Sequence, residues 1–205
     1  MLSDYVTLSV EDGSKILLNT MENLGFSNDL ALYGVKSSLW LESRGLGGII
    51  ELIVYLNSIK AKNKSLGSLE PYMHEKIGIT GYCPFMLSRF VIQHKELWIN
   101  DGYLASGAPY SVLLYLPEIV ELISKTQNKA ILVEHQDYSV IVSRRGWRLE
   151  SEQSGMFQLP HYSEDPLFCR FIDEPEELDF GAEEEIKSIK LPKARLMESG
   201  LLHLG

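Results

Sequence analysis

The strongest constraint on the fold lies in residues 9–62, where apolar side chains recur every three to four positions in three successive stretches. This spacing places them on one face of a helix. Ser9 followed by Asp12 is typical of a helix start, and Gly25 of a helix end. Helices are therefore predicted near 9–24, 28–43 and 47–62. The side chains expected to be buried between them are Leu17, Leu39, Trp40, Ile50 and Ile53.

The second half of the chain has shorter elements with a β pattern. Short helices are predicted at 84–93 and 117–125, each with a proline in its first turn. Residues 78–83 are Gly-rich and are expected to be irregular. Strands are predicted at 96–100, 109–116, 130–134, 138–143, 147–150 and 167–172. A hairpin turn at 144–146 is expected to join 138–143 to 147–150. The expected architecture is α+β: an N-terminal three-helix segment followed by a small, mainly antiparallel sheet with one or two further helices.

Charge divides the chain unevenly. Its 205 residues carry a formal net charge of −9. Residues 150–205 hold 13 of the 28 acidic side chains but only 5 of the 19 basic ones. A surplus of acid disfavours nucleic-acid binding, which needs Lys and Arg for the phosphates. We therefore expect one α+β domain over 1–172 and an acidic, partly extended segment over 173–205, with residues 173–190 in solvent.

The cysteine content and the hydropathy of the chain indicate its cellular compartment. The N-terminus has no basic start followed by an apolar core, and no apolar stretch approaches the roughly 20 residues of a membrane span. Only Cys83 and Cys169 are present, which is too few for a disulfide framework. The chain is therefore expected to be cytoplasmic and soluble, with both cysteines as thiols and no membrane partner.

Short motifs are found at Leu8 to Glu11, Gly25 to Ser27, Trp40 to Gly48, Tyr82 to Phe85, Leu113 to Pro117, and Lys190 to Leu196 with Gly200 and Gly205. Together they resemble an uncharacterised bacterial family, domain of unknown function 3726. The resemblance covers most of the chain and implies a single domain of this length. It implies no activity, because the family has none established.

The three opening helices also resemble the N-terminal helices of the malate/L-lactate dehydrogenases that lie outside the Rossmann class. In that family a His-containing motif before the third helix supplies the catalytic acid/base. The corresponding stretch here, Ser43 to Gly48, contains no histidine. Dehydrogenase activity is therefore not predicted.

One enzymatic constellation can be built from the sequence, a thiol nucleophile. Cys83 precedes a predicted helix, whose N-terminus lowers a thiol pKa. His135 lies between two predicted strands, and Asp137 follows closely enough to orient an imidazole. The alternative is that Cys83 is a buried structural thiol. A cysteine-dependent hydrolase using Cys83, His135 and Asp137 therefore stays open as a second function.

A turn before the third helix is the candidate ligand site. Gly45, Gly47 and Gly48 lead into a helix N-terminus, which favours anions, and Arg44 stands beside them. The alternative is an interhelical turn whose glycines permit positive φ. The histidines and cysteines lack metal-ligand spacing, so no metal and no cofactor are predicted.

No motif is specific enough to name a reaction. The leading interpretation is a non-catalytic module that binds a small molecule or a protein, with a homodimer as one possible form. The third alternative is a structural subunit of a complex that docks through the acidic C-terminal segment.

Overall fold

The computed structural model describes residues 5–62, 71–74, 78–80, 83–106, 114, 116–127, 129–135, 138–150, 167–178 and 185–193. Within these ranges the helices are α1 Val10–Asn23, α2 Asn28–Glu42, α3 Gly48–Lys62, α4 Pro84–Gln93 and α5 Leu116–Gln127. The strands are β1 Tyr5–Leu8, β2 Tyr72–His74, β3 Gly78–Thr80, β4 Tyr103–Ser106, β5 Lys129–His135, β6 Tyr138–Val142, β7 Trp147–Glu150, β8 Leu167–Asp173 and β9 Ile189–Pro192. The α+β prediction is confirmed. None of the helices in these ranges is long and apolar enough to cross a membrane.

Local signals account for the first three helices. The Ser9 hydroxyl accepts a hydrogen bond from the Asp12 amide at 3.0 Å and so caps α1. Ser27 caps α2 in the same way. Gly25 follows α1 with φ of 88°, a left-handed conformation that glycine adopts without strain. All three helices form within two residues of the predicted bounds, because these stop and start residues act over one turn.

Helix α2 packs against α1, α3, α4 and α5 and is the centre of the helical layer. Leu17 and Ile53 are buried as predicted, whereas Leu39 and Trp40 are partly buried and pack against the core. Ile50 is only half-buried. The expected helix–helix core is therefore present.

A seven-stranded sheet forms the second layer, in the order β2-β3-β4-β8-β5-β6-β7. Only the β3–β4 pair is parallel within the described strands. Alternate residues of β5 and β6 face the helices and join the main core. The opposite face carries a smaller cluster of Ala130, Leu132 and Ile141 with Ile172 and Leu178. The helices therefore cover one face of the sheet.

Two predictions for the middle of the chain are wrong. Residues 96–100 do not form a strand, because Lys95–Leu97 is a single 3₁₀ turn that directs the Trp98 indole against Tyr103 in the core. Residues 78–80 are not irregular, since they form β3 between β2 and β4. The strand predicted at 109–116 lies mostly outside the described residues, and Leu116 begins α5.

The acidic C-terminal segment is not wholly in solvent, so that prediction is wrong at two points. Strand β9 pairs with β1 in a separate antiparallel ribbon, and Ile189 is buried against α1 at Gly13. The Glu174 side chain is only 6% exposed and lies against Arg145, with Oε2 at 3.3 Å from Nε. The prediction was wrong at β9 because it relied on the net charge of the whole segment, which does not indicate a short strand with apolar residues.

Candidate functional site

Cys83 is the N-cap residue of α4 and its side chain is wholly buried. The hydroxyl of Tyr55, also buried, lies beside the thiol. Burial raises the pKa of the Cys83 thiol, and this effect outweighs the Tyr55 hydroxyl and the backbone N–H groups of α4, which lower it. The helix N-terminus therefore acts in the predicted direction but loses to desolvation, and Cys83 is protonated at neutral pH.

The predicted partners of Cys83, His135 and Asp137, lie largely outside the described residues. His135 is the last residue of β5, but its side chain is outside the described residues, as is Asp137. The Cys83–His135–Asp137 arrangement therefore stays a prediction. A buried, protonated thiol does not support it, since a thiol nucleophile needs thiolate character and access to substrate.

Alkylation measures this directly. We expect Cys83 to react with iodoacetamide at neutral pH at least about 100-fold more slowly in the native chain than in urea, because only opened molecules expose the sulfur. Quantitative peptide mass spectrometry separates Cys83 from Cys169, which is equally buried and serves as the internal control. Faster labelling of Cys83 than of Cys169 in the native chain would restore the nucleophile hypothesis.

Arg44, the charged residue of the predicted ligand turn, is buried within the fold with 4% of its surface exposed. Its guanidinium lies 3.7 Å from the centre of the Trp40 ring. Nη1 donates to the Trp40 carbonyl at 3.2 Å and to Ser43 Oγ at 3.0 Å, and Nη2 donates to the Arg144 carbonyl at 3.3 Å. These contacts join the end of α2 to the β6–β7 hairpin, which is a structural use of the guanidinium.

The turn between α2 and α3 has the features of an interhelical turn whose glycines adopt positive φ. Gly45 and Gly47 have φ of 72° and 64°. The N-terminus of α3 already has an anionic partner, because Glu42 Oε2 accepts from the Ile49 amide at 3.1 Å. A ligand-binding role for Arg44 and the turn glycines stays a prediction, and the observed contacts favour a structural role.

An open groove lies elsewhere, between the start of α2 and the outer face of α4, with a volume of about 380 Å³. Four of its seven lining residues are apolar and three are polar or charged. The lining residues are Ser27, Leu30, Pro71, Met86, Arg89, Phe90 and Gln93. Helix α4 supplies the residues at 86, 89, 90 and 93, whose spacing puts them on one helix face. The volume is within the range of ligand pockets in proteins.

Arg89 is an exposed side chain of this groove, and none of the described carboxylates forms an ion pair with it. Its guanidinium carbon lies 5.7 Å from the centre of the Tyr33 ring. Three other exposed arginines do form ion pairs with described carboxylates. Arg144 contacts Glu121, Arg145 contacts Glu174, and Arg170 contacts Glu134. Arg89 therefore differs from them in lacking a carboxylate.

Tyr33, the ring next to Arg89, is held in place by hydrogen bonds of its hydroxyl. Its hydroxyl lies 2.8 Å from Ser88 Oγ, and Ser88 donates to Glu118 Oε2 at 3.4 Å. Burial raises the pKa of Tyr33 well above its usual range, so the ring stays neutral. These bonds join α2, α4 and α5 and fix the ring against which the Arg89 guanidinium lies.

Comparisons with known proteins identify no family. No family model matches the chain, and no curated protein matches it significantly. Among solved structures it is similar to malate dehydrogenase from Pyrococcus horikoshii OT3, with 10% sequence identity and a TM-score of 0.49. The match covers 72% of this chain and 50% of that one, so the chain spans half the length of that protein. A likeness at this level says nothing about activity.

The groove has a sequence signal that was missed. Residues 84–93 read Pro-Phe-Met-Leu-Ser-Arg-Phe-Val-Ile-Gln, with apolar side chains all around the helix. A surface helix buries one face, so Phe85, Leu87 and Val91 enter the core and Met86 and Phe90 are left half-buried on the other side. The lone Arg89 between them marks that second face.

Metal ligation has no support in the described part of the chain, where no three His, Cys, Asp or Glu side chains come together. Of the five histidines, only His94 has a described side chain, and its ring lies tilted against that of Phe90 with 4.6 Å between the ring centres.

Proposed function

We propose that the protein is a non-catalytic binding module whose site is the groove between α2 and α4. The observation that supports this most directly is the groove itself, about 380 Å³ with Leu30, Pro71, Met86 and Phe90 as apolar walls. Half-buried apolar side chains that border a cavity gain free energy when a ligand or partner covers them. Its ligand is a small apolar molecule or an apolar segment of a partner protein.

The remaining features agree with this proposal. Cys83 is buried and protonated, and Arg44 is held by the fold, so neither offers reactive chemistry. Both cysteines are free thiols, which supports a reducing compartment such as the cytoplasm. The cysteine-hydrolase alternative gains no support from the described residues.

A neutral apolar dye tests the proposed site. N-phenyl-1-naphthylamine is expected to bind saturably with increased fluorescence, and Met86→Glu should weaken binding at least about 10-fold, because a carboxylate in the wall must be desolvated. Leu97→Glu is the matched control, since Leu97 is 53% exposed and does not line the groove. Thermal unfolding checks that both variants are folded. Equal binding by wild type and Met86→Glu would contradict the site.

A further inference from the structure

We infer that the groove selects a small apolar monocarboxylate, with its carboxylate paired to Arg89 and its apolar part against Met86 and Phe90. This inference rests on the proposed function and adds the ligand's charge and chemical class. It follows from three features of the groove: a cation without a described carboxylate, the position of that cation beside apolar side chains, and the size of the cavity.

The charge of Arg89 is the first feature. The chain has a net charge of −9 and 28 acidic side chains, so carboxylates are abundant. Arg144, Arg145 and Arg170 each contact one, at 3.6, 3.3 and 3.1 Å. Among the described residues Arg89 contacts none, and its described neighbour is the neutral Tyr33 ring. A carboxylate ligand supplies the partner that the fold does not.

The position of Arg89 is the second feature. It follows Met86 by three residues and precedes Phe90, so one helix face presents a cation with apolar side chains next to it. A planar guanidinium offers two parallel N–H donors that match the two oxygens of a carboxylate. The guanidinium carbon lies 5.7 Å from the centre of the Tyr33 ring, within the distance of a cation–π contact.

Size and charge number are the third feature. A volume of about 380 Å³ is at the small end of ligand pockets, which range over roughly 300–1,000 Å³. One guanidinium matches one negative charge, and the remaining polar lining residues, Ser27 and Gln93, are neutral. A phosphate-rich ligand needs several cations, so a monoanion fits this lining better. Met86 is flexible and tolerates either an alkyl chain or a ring.

Three C8 probes of nearly equal size test the charge preference: octanoate, octanol and octylamine. Titration calorimetry, or displacement of the neutral dye, gives their affinities at about pH 7.5, where octanoate is ionised. Octanoate is expected to bind about tenfold more tightly than octanol, because Arg89 attracts its carboxylate. Octylamine is expected to bind more weakly than either, because Arg89 repels its ammonium group.

Arg89→Gln should abolish the difference between octanoate and octanol. Arg170→Gln is the matched control, since it removes the same charge from an exposed arginine of the sheet and should leave the tenfold preference intact. Arg89→Lys should keep part of the preference, because charge remains without the planar fork. Equal affinities of octanoate and octanol in wild type, or a preference that survives Arg89→Gln, would overturn the inference.

The same measurements separate this inference from the proposed function. If the dye and octanol bind but octanoate has no advantage, the groove is a binding site and the carboxylate inference is wrong. If a capped amphipathic peptide of Leu and Glu displaces the dye whereas octanoate does not, the natural occupant is a protein segment and the inference is again wrong. If neither dye nor octanol binds in the groove, the proposed function itself fails.

Discussion

An Arg44→Ala variant is expected to lose about 3 kcal/mol of unfolding free energy, because it removes charge-assisted hydrogen bonds and leaves a buried cavity. The carbonyls of Trp40 and Arg144 lose a donor, and the Trp40 ring loses the cation above it. Trp147 Nε1 also donates to the Arg44 carbonyl at 2.8 Å, so the hairpin and the helix meet at this residue.

Urea unfolding measures this change. Arg44→Lys should recover only part of the loss, since an ammonium keeps the charge but does not reach three acceptors in one plane. Lys15→Ala is the surface control and is expected to cost at most about 0.5 kcal/mol, because the Lys15–Glu11 pair is exposed.

The result also decides between the two roles predicted for Arg44. A residue kept for a ligand is usually held at some cost to stability, so its removal from the free protein is neutral or stabilising. A loss below about 1 kcal/mol for Arg44→Ala would therefore favour the ligand role over the structural one.

Elements with local signals could be predicted from the sequence. Ser9 and Ser27 cap helices through bonds to residues three positions on, and Pro84 marks the start of α4. The hairpin of β6 and β7 likewise depends on the short turn after Ser143, whose amide donates to the Gly146 carbonyl at 2.8 Å. Each signal acts within one turn of chain, so no knowledge of the fold is needed to read it.

Elements that depend on distant pairing could not be predicted. Strands β1 and β9 pair across more than 180 residues, with Val6 opposite Leu191. Strand β3 has three residues, and its Gly78 has no β preference of its own. The backbone of each is satisfied only by a partner that the folded chain brings to it.

The candidate site divides in the same way. Cys83 at a helix start favours a thiolate if only the neighbouring residues are considered, but burial in the core reverses the direction of the pKa shift. Arg44 beside three glycines resembles an anion site, but Trp40 and the β6–β7 hairpin bury its guanidinium. Burial decides both cases, and burial is set by the tertiary fold.

A Gly48→Ala variant is expected to lose about 3 kcal/mol of unfolding free energy, through a steric clash between two helices. A Cβ at Gly48 falls on the Ser38 carbonyl oxygen and comes within 2.6 Å of Leu41 Cβ. Ser38 and Leu41 belong to α2, so α3 must move away from the helix at the centre of its layer. The clash is with backbone, which has no rotamer that relieves it.

Two neighbouring glycines provide matched controls for this change. Gly45 and Gly47 have open space around an added Cβ but positive φ, so Gly45→Ala and Gly47→Ala should each cost only the left-handed conformation, about 1–2 kcal/mol. Gly48 has no such strain, so any net loss at Gly48 reports the clash. Urea unfolding of the three variants, with circular dichroism as the probe, ranks them. A Gly48→Ala variant as stable as the wild type would show that α2 and α3 do not approach this closely.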